Sequence, residues 1–166
     1  MTPLTTERLL LRDARQGDEL ALASYHADPR YLAHYSSAPD TLAIVNKAIA
    51  WAKETPRQNY QLMIELRETR QVMGCVGLRQ TAARVGAAEI GIELAPDYWG
   101  MGLASEAAGE IMRFASMTLG LETLVSKTSP ANLPAHALLG SLGFIPGVTR
   151  SGAWVFETQL ESARRY

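Results

Sequence analysis

The sequence holds a single cysteine, Cys75, so an intramolecular disulfide is excluded, and the lack of a second cysteine argues against a zinc site. Charge of one sign is not in excess. Lys plus Arg number 16 and Asp plus Glu 17, leaving a net charge of −1. That balance argues against a nucleic-acid-binding surface, since such domains carry basic patches and a high isoelectric point. No apolar run approaches the roughly 20 residues that a membrane-spanning helix needs. The segment Met1 to Arg8 carries an acid and a base but no apolar signal core, which predicts a cytoplasmic protein with no membrane association. No low-complexity tract, linker or internal repeat interrupts the chain. Its 166 residues, 47% of them hydrophobic, are those of one soluble domain spanning 1–166 with a sizeable core.

Hydrophobic periodicity sets the expected element order. Arg8 to Arg12 (RLLLR) reads as a strand with Leu9 and Leu11 on one face. Gly17-Asp18 opens a helix with Asp18 as its cap, and Asp28-Pro29 ends it, because a residue before proline is pushed out of the helical region. Residues 30–39 read as a loop or single turn. Asp40 caps a second helix, with Leu42, Val45, Ile49 and Ala52 as its apolar stripe. The period then changes. Tyr60 to Leu66, Val72 to Arg79 and Glu89 to Leu94 read as three antiparallel strands. A helix follows over about 102–119, with Leu103, Ala107, Ile111, Phe114 and Ala115 inward. Next come a strand at 123–127, a short helix at 132–142, and two strands from Phe144 onward with a turn at Ser151-Gly152. The expected class is α+β with a mixed, mostly antiparallel sheet flanked by about four helices.

Chemistry concentrates in Glu89 to Ala107, EIGIELAPDYWGMGLASEA. A strand runs through Pro96 into Gly100-Met101-Gly102, and a helix begins at once. Glycines let the backbone turn sharply there, and the first free amides of the helix together with its dipole form an anion site suited to a pyrophosphate. The same glycines would also serve a plain strand-to-helix turn. The chain contains no GxxxxGK[ST] loop, and a dinucleotide fingerprint fails because Ser105 holds its third glycine position and the preceding strands form a meander.

This segment resembles the pyrophosphate-binding motif of the GNAT (Gcn5-related N-acetyltransferase) superfamily. Three segments resemble its RimJ/RimL-type branch: Leu4 to Arg12 (LTTERLLLR), Tyr98 to Ala107 (YWGMGLASEA) and Thr128 to Phe144 (TSPANLPAHALLGSLGF). The resemblance spans nearly the whole chain. It implies acetyl-CoA as co-substrate, no metal, and a splayed strand pair, residues 89–94 and 123–127, that admits the pantetheine arm. It also implies that the backbone amides of Gly100, Met101, Gly102, Leu103 and Ala104 face the pyrophosphate, that Ile92, Glu93 and Leu94 pair with the pantetheine, and that Asn132 bonds the cofactor. Two positions depart from the pattern. Asp97 stands where the superfamily has Arg or Gln, and Ala135 stands where many relatives have a Ser.

The implied reaction is direct attack of a primary amine on the thioester in a ternary complex. Holding an α-amine neutral at pH 7 costs about 1 kcal/mol, against about 4.6 kcal/mol for a lysine-like amine, so a carboxylate base is expected. Glu89 and Glu93 are the candidates. They lie four residues apart on one strand face with Gly91 between them, and a bulge at Gly91 would move one of them off that face. Glu89 resembles the strand glutamate that serves as base in several superfamily members. Tyr31, His34 and Tyr35 fall in the loop that lines the acceptor site in this family. Glu106 and His136 are read as structural, Trp99 as packing under the loop, and Cys75 as an inert buried thiol. The acceptor is a protein N-terminal α-amine or a small-molecule amine, and a homodimer through the last strands is compatible. The alternative is an acyl-CoA-binding module of the same fold without catalysis, which the missing hydroxyl at Ala135 favours.

Overall fold

Alternating Leu side chains commit the N-terminus to a sheet. Leu9 and Leu11 are fully buried on one face of the strand Leu9–Asp13, which follows a two-residue strand, Leu4–Thr5. These are β2 and β1. The computed structural model describes residues 1–34, 38–80, 84–148 and 154–160. Three helices follow: α1 (Asp18–His26), the single turn α2 (Pro29–Leu32) and α3 (Thr41–Ala52). The meander β3 (Asn59–Leu66), β4 (Val72–Gln80) and β5 (Ala87–Leu94) comes next, then α4 (Leu103–Met117), β6 (Thr123–Thr128), α5 (Leu133–Ser141), β7 (Ile145–Val148) and β8 (Trp154–Gln159).

The eight strands form one sheet in the order β1-β2-β3-β4-β5-β6-β8-β7. Every pairing is antiparallel except β5 with β6. The expected α+β class holds, and so does the order of elements along the chain, with the two-residue β1 added before the first expected strand. Among the described residues the helices number five rather than about four, because the stretch after Pro29 closes one helical turn.

The period of two sorts the sheet into two faces. One face carries Leu62, Ile64, Val76, Leu78, Ile90 and Leu94 against Leu103, Ala107, Ile111 and Phe114 of α4. Each large apolar side chain fully buried there contributes about 1.5–3 kcal/mol. The other face carries Met63 and Cys75 against Leu22, Tyr25, Tyr31, Val45 and Ala48 from α1 to α3. The apolar stripe of α3 runs through Val45 and Ala48, and Leu42, predicted on that stripe, is exposed at the helix start.

Asp40 caps α3 as predicted, its side chain accepting from the Ala43 amide. Asp18 does not cap α1. Gly17 holds the cap position and Asp18 is the first helical residue. Its carboxylate is taken by a stronger partner, the buried guanidinium of Arg12, through two hydrogen bonds of 2.8 and 2.9 Å. Arg12 also donates to Glu65 at 2.6 Å, so a buried ionic triad ties β2 and β3 to the start of α1.

What positions the site is the parting of β5 from β6. They pair in parallel only over Ala87 to Glu89 with Thr123 to Val125. Beyond that point β5 stays in register with β4 to Leu94, and β6 stays with β8 to Thr128. Each strand follows the twist of its fully bonded neighbour, so a V opens between them. The β5–β4 register runs unbroken from Ala88 to Leu94, so the bulge considered at Gly91 is absent and Glu89 and Glu93 share a face.

Candidate active site

The V and the start of α4 lie at the same end of the sheet. After β5 a short 3-10 turn, Pro96–Tyr98, leads into Gly100 and Gly102, whose φ angles are +73° and +76°. Non-glycine residues pay a steric cost in that left-handed region. No side chain caps α4, so its first-turn amides have no intrahelical partner and face the opening. A cavity of about 400 Å³ runs from these amides along β5 to α5, bordered by Ile92, Leu94, Gly100, Leu103, Ala104 and Asn132. The predicted Gly100, Gly102, Leu103 and Ala104 border it with Ile92, Glu93 and Leu94. Met101 is exposed beside it. Past Glu89 the β6-facing edge of β5 has no strand partner, which leaves the backbone of Ile92 to Leu94 open for pairing.

The opening is braced from the N-terminus. Glu106, in the first turn of α4, accepts from the Thr6 hydroxyl at 2.5 Å, the Arg8 amide at 2.9 Å and the Arg8 Nε at 2.7 Å. Arg8 Nη1 also donates to the Met101 carbonyl at 3.0 Å. Burial acts to raise the Glu106 pKa, but the bonds from Thr6 and Arg8 outweigh it and hold the carboxyl below its ordinary range. The structural role expected of Glu106 holds. Asp97 pairs with Arg30 of α2 at 2.8 Å. Trp99 differs from expectation. It is 39% exposed, donates its indole N–H to the Leu94 carbonyl at 2.8 Å, and lies 5.7 Å from the His34 ring, so it walls the cavity instead of packing beneath the loop. A core position would have left that indole N–H without the carbonyl it finds at the strand end.

A second cavity of about 380 Å³ adjoins the first and opens on the α1–α3 face of the sheet. His34, Ile92, Glu93, Asn132, Ala135 and Leu138 border both. Glu89 lines the second. Its Oε2 meets Lys127 Nζ of β6 at 2.7 Å, across the point where the V opens. Its side chain is 29% exposed.

Glu93 is in a different state. Oε1 accepts from the Tyr25 hydroxyl at 2.9 Å, from His26 Nε2 at 2.9 Å and from Cys75 Sγ at 3.3 Å, while Oε2 accepts from the Tyr31 hydroxyl at 2.7 Å. Burial acts to raise its pKa, yet the bonds from His26, Tyr31 and Tyr25 more than offset it and hold the carboxyl below its usual value. An ionised acceptor calls for a donor at His26 Nε2. Cys75 is buried as expected, and burial together with the neighbouring Glu93 charge pushes its thiol pKa well up, as burial does for Tyr25.

The structure brings Tyr31, His34, Glu89, Glu93 and Asn132 together. Tyr35, predicted with Tyr31 and His34, lies outside the described residues. Asn132 caps α5, its Oδ1 accepting from the Ala135 amide at 3.2 Å, which leaves its NH2 donors for other work. His136 is structural as expected: its Nε2 meets the Ser129 carbonyl at 3.0 Å and its ring stacks on Trp154 at 5.2 Å. Sequence reasoning missed Tyr25, His26, Arg79 and Lys127. The first two read as ordinary turns of α1. The last two lie on β4 and β6, and only the strand register places them beside Glu89.

Residues 8–145 match the acetyltransferase (GNAT) domain. The chain belongs to the GNAT acetyltransferase family. It is 31% identical over 152 residues to the N-acetyltransferase p20 of Bacillus licheniformis, covering 87% of this chain and 83% of that one. An acetyltransferase from Agrobacterium tumefaciens superimposes with a TM-score of 0.79 at 30% identity, over 95% of this chain and 94% of that one. A spermidine N-acetyltransferase from Vibrio cholerae, solved with CoA and spermine, shares the fold with a TM-score of 0.74 at 18% identity, over 95% and 98% of the two chains. This GNAT protein is therefore an N-acetyltransferase with acetyl-CoA as donor. The amides of α4 and the open edge of β5 suit that donor, one to its pyrophosphate and the other to its pantetheine arm. Among the described residues no cluster of His, Cys, Asp and Glu is arranged to hold a metal ion, and no helix is long and apolar enough to cross a membrane.

Proposed function

We propose that this GNAT chain acetylates a primary amine by direct attack in a ternary complex, with Glu89 as general base. The observation that carries this reading is the contrast between the two glutamates on β5. Glu93 spends both oxygens on four donors and is held ionised, so it is a weak proton acceptor and a strong structural anchor. Among the described residues Glu89 has one side-chain partner, Lys127; it sits partly in solvent and lines the cavity beyond the V. Each would-be role thus falls to a different carboxylate.

The donor brings an already activated thioester. Around it, the amides of Gly100 to Ala104 hold the pyrophosphate and the free edge of Ile92 to Leu94 holds the arm. A backbone amide of that edge stabilises the oxyanion as the amine attacks. Glu89, directly or through one water, takes the proton from the amine. The sheltered groove fixes donor and acceptor together, which is the larger part of the rate gain. Ala135 offers no hydroxyl to the departing sulfur. A thiol of pKa about 8.5 can leave as thiolate and take its proton from solvent, so none is required.

The RimJ/RimL-type assignment draws support from Arg8 and Thr6, in one motif of that branch, clasping Glu106, in another. Two segments a hundred residues apart form one brace for the phosphate loop. The test is an amine panel followed by release of free CoA. Turnover by the native protein that collapses in Glu89→Gln, with acetyl-CoA still bound, supports the reading. Binding of acetyl-CoA with no turnover of any peptide or small amine would favour the inactive binding module.

A further inference from the structure

Arg79 is a half-buried cation with no carboxylate partner among the described residues. It stands on β4 directly opposite Glu89 in the register, yet Glu89 pairs with Lys127 instead. Among the described residues no carboxylate lies within 4 Å of its guanidinium, and its one side-chain bond is from Nη2 to the Gln61 Oε1 at 3.0 Å. Nε and Nη1 keep donors to spare. A Cβ built at Gly91 would lie 3.5 Å from Arg79 Nη1, so the guanidinium overhangs the glycine that separates Glu89 from Glu93. It lines the second cavity, where the other charges are already matched: Glu89 by Lys127, and Glu93 by its ring of donors. Removing a guanidinium from water with no counter-charge is costly, and the fork of spare donors suits an oxyanion bound through two oxygens.

We infer that the acceptor is a small primary amine carrying an oxyanion, an amino carboxylate or an amino phosphonate, whose anionic group docks on Arg79 while its amine faces Glu89. This deepens the proposed acetyl transfer and rests on it. A cavity of about 380 Å³ is of the size that holds a small molecule. The anion also places the amine. With the oxyanion fixed over Gly91, the nitrogen lies on the strand face between the base and the mouth of the V. A polyamine has no group for Arg79 and would meet a like charge there.

The test compares amino acids, their matched amides and aminophosphonates as acceptors for the native protein, with acetyl-CoA binding measured separately by calorimetry. The expected result is a kcat/KM about 10- to 100-fold higher for acids or phosphonates than for the amides. In Arg79→Gln that preference disappears through a raised acceptor KM, while the KM for acetyl-CoA stays put, and Arg79→Lys keeps part of it. A purely structural Arg79 would lower stability without moving the acid-to-amide ratio. Equal use of acids and amides overturns the inference. So does an intact preference in Arg79→Gln, or acetyl-CoA binding with no panel member turned over. Should Arg79→Gln not fold, the native ratio and Arg79→Lys decide. Failure to bind acetyl-CoA removes the proposed function itself and this inference with it, and the calorimetry separates that case.

Discussion

Tyr31, on the single-turn helix α2, donates its hydroxyl to Glu93 of β5 at 2.7 Å and so fastens that helix to the strand that lines the V. Tyr25 and His26 of α1 meet the same carboxylate. Removing it takes away the acceptor of the Tyr25 hydroxyl, the His26 Nε2 and the Cys75 thiol in a buried setting, and breaks the Tyr31 bond as well. Breaking a buried, hydrogen-bonded charge costs about 3–5 kcal/mol. Glu93→Ala is expected to lose stability of that order in urea unfolding at pH 7. A loss under 1 kcal/mol would contradict the anchoring role.

Glu89 is predicted to behave in the opposite way. Its pair with Lys127 is largely exposed, and such pairs contribute about 0–1 kcal/mol. Glu89→Gln should therefore melt within a few degrees of the native protein and bind acetyl-CoA unchanged, while kcat falls about 10²- to 10⁴-fold. Single-turnover kinetics with saturating acceptor measure this. An unchanged rate would remove Glu89 as base.

The left-handed turn gives a third expectation. Gly102→Ala puts a methyl at φ +76° and 3.5 Å from Arg8 Nη2. The conformation alone costs about 1–2 kcal/mol, and relaxing it would rotate the first amides of α4 away from the opening. Acetyl-CoA affinity should drop about 10-fold, read by titration calorimetry, while the acceptor preference is kept. Unaltered affinity would show that the loop geometry does not matter to binding.

Two buried carboxyls set the acid limit of stability. For Asp18 and Glu93 burial acts to raise the pKa. The bonds from Arg12 and the Arg15 amide at Asp18, and from His26 and Tyr31 at Glu93, prevail and lower both. A carboxyl whose folded pKa lies below its unfolded value contributes stability that is full above about pH 4–5 and is lost as pH falls through the folded value. Unfolding free energy should be flat from pH 7 to 5 and fall steeply below about pH 4. Glu93→Gln should flatten part of that fall.

Much of this was legible in the sequence because local rules and the chain's own pattern agreed. Leu9 and Leu11, the inward face of α4 and the Asp40 cap follow from periodicity and capping alone. The left-handed turn into α4 followed from two glycines at the start of a helix. What stayed hidden needed strand register or a choice between partners. Asp18 looks like a cap until Arg12, six residues earlier, claims it. Glu89 and Glu93 are alike in the sequence, and they differ because α1 and α2 bring three donors to one and β6 brings a lysine to the other. Arg79 carried no signal until β4 and β5 were laid side by side.

The most direct measurement is titration calorimetry of the native protein with acetyl-CoA, with ATP and NAD as controls. The account predicts one site per chain, saturable by acetyl-CoA and silent to the controls, and weakened in Gly102→Ala. Heats no different from dilution at millimolar acetyl-CoA would contradict it, and the glycines before α4 would then serve only to turn the chain.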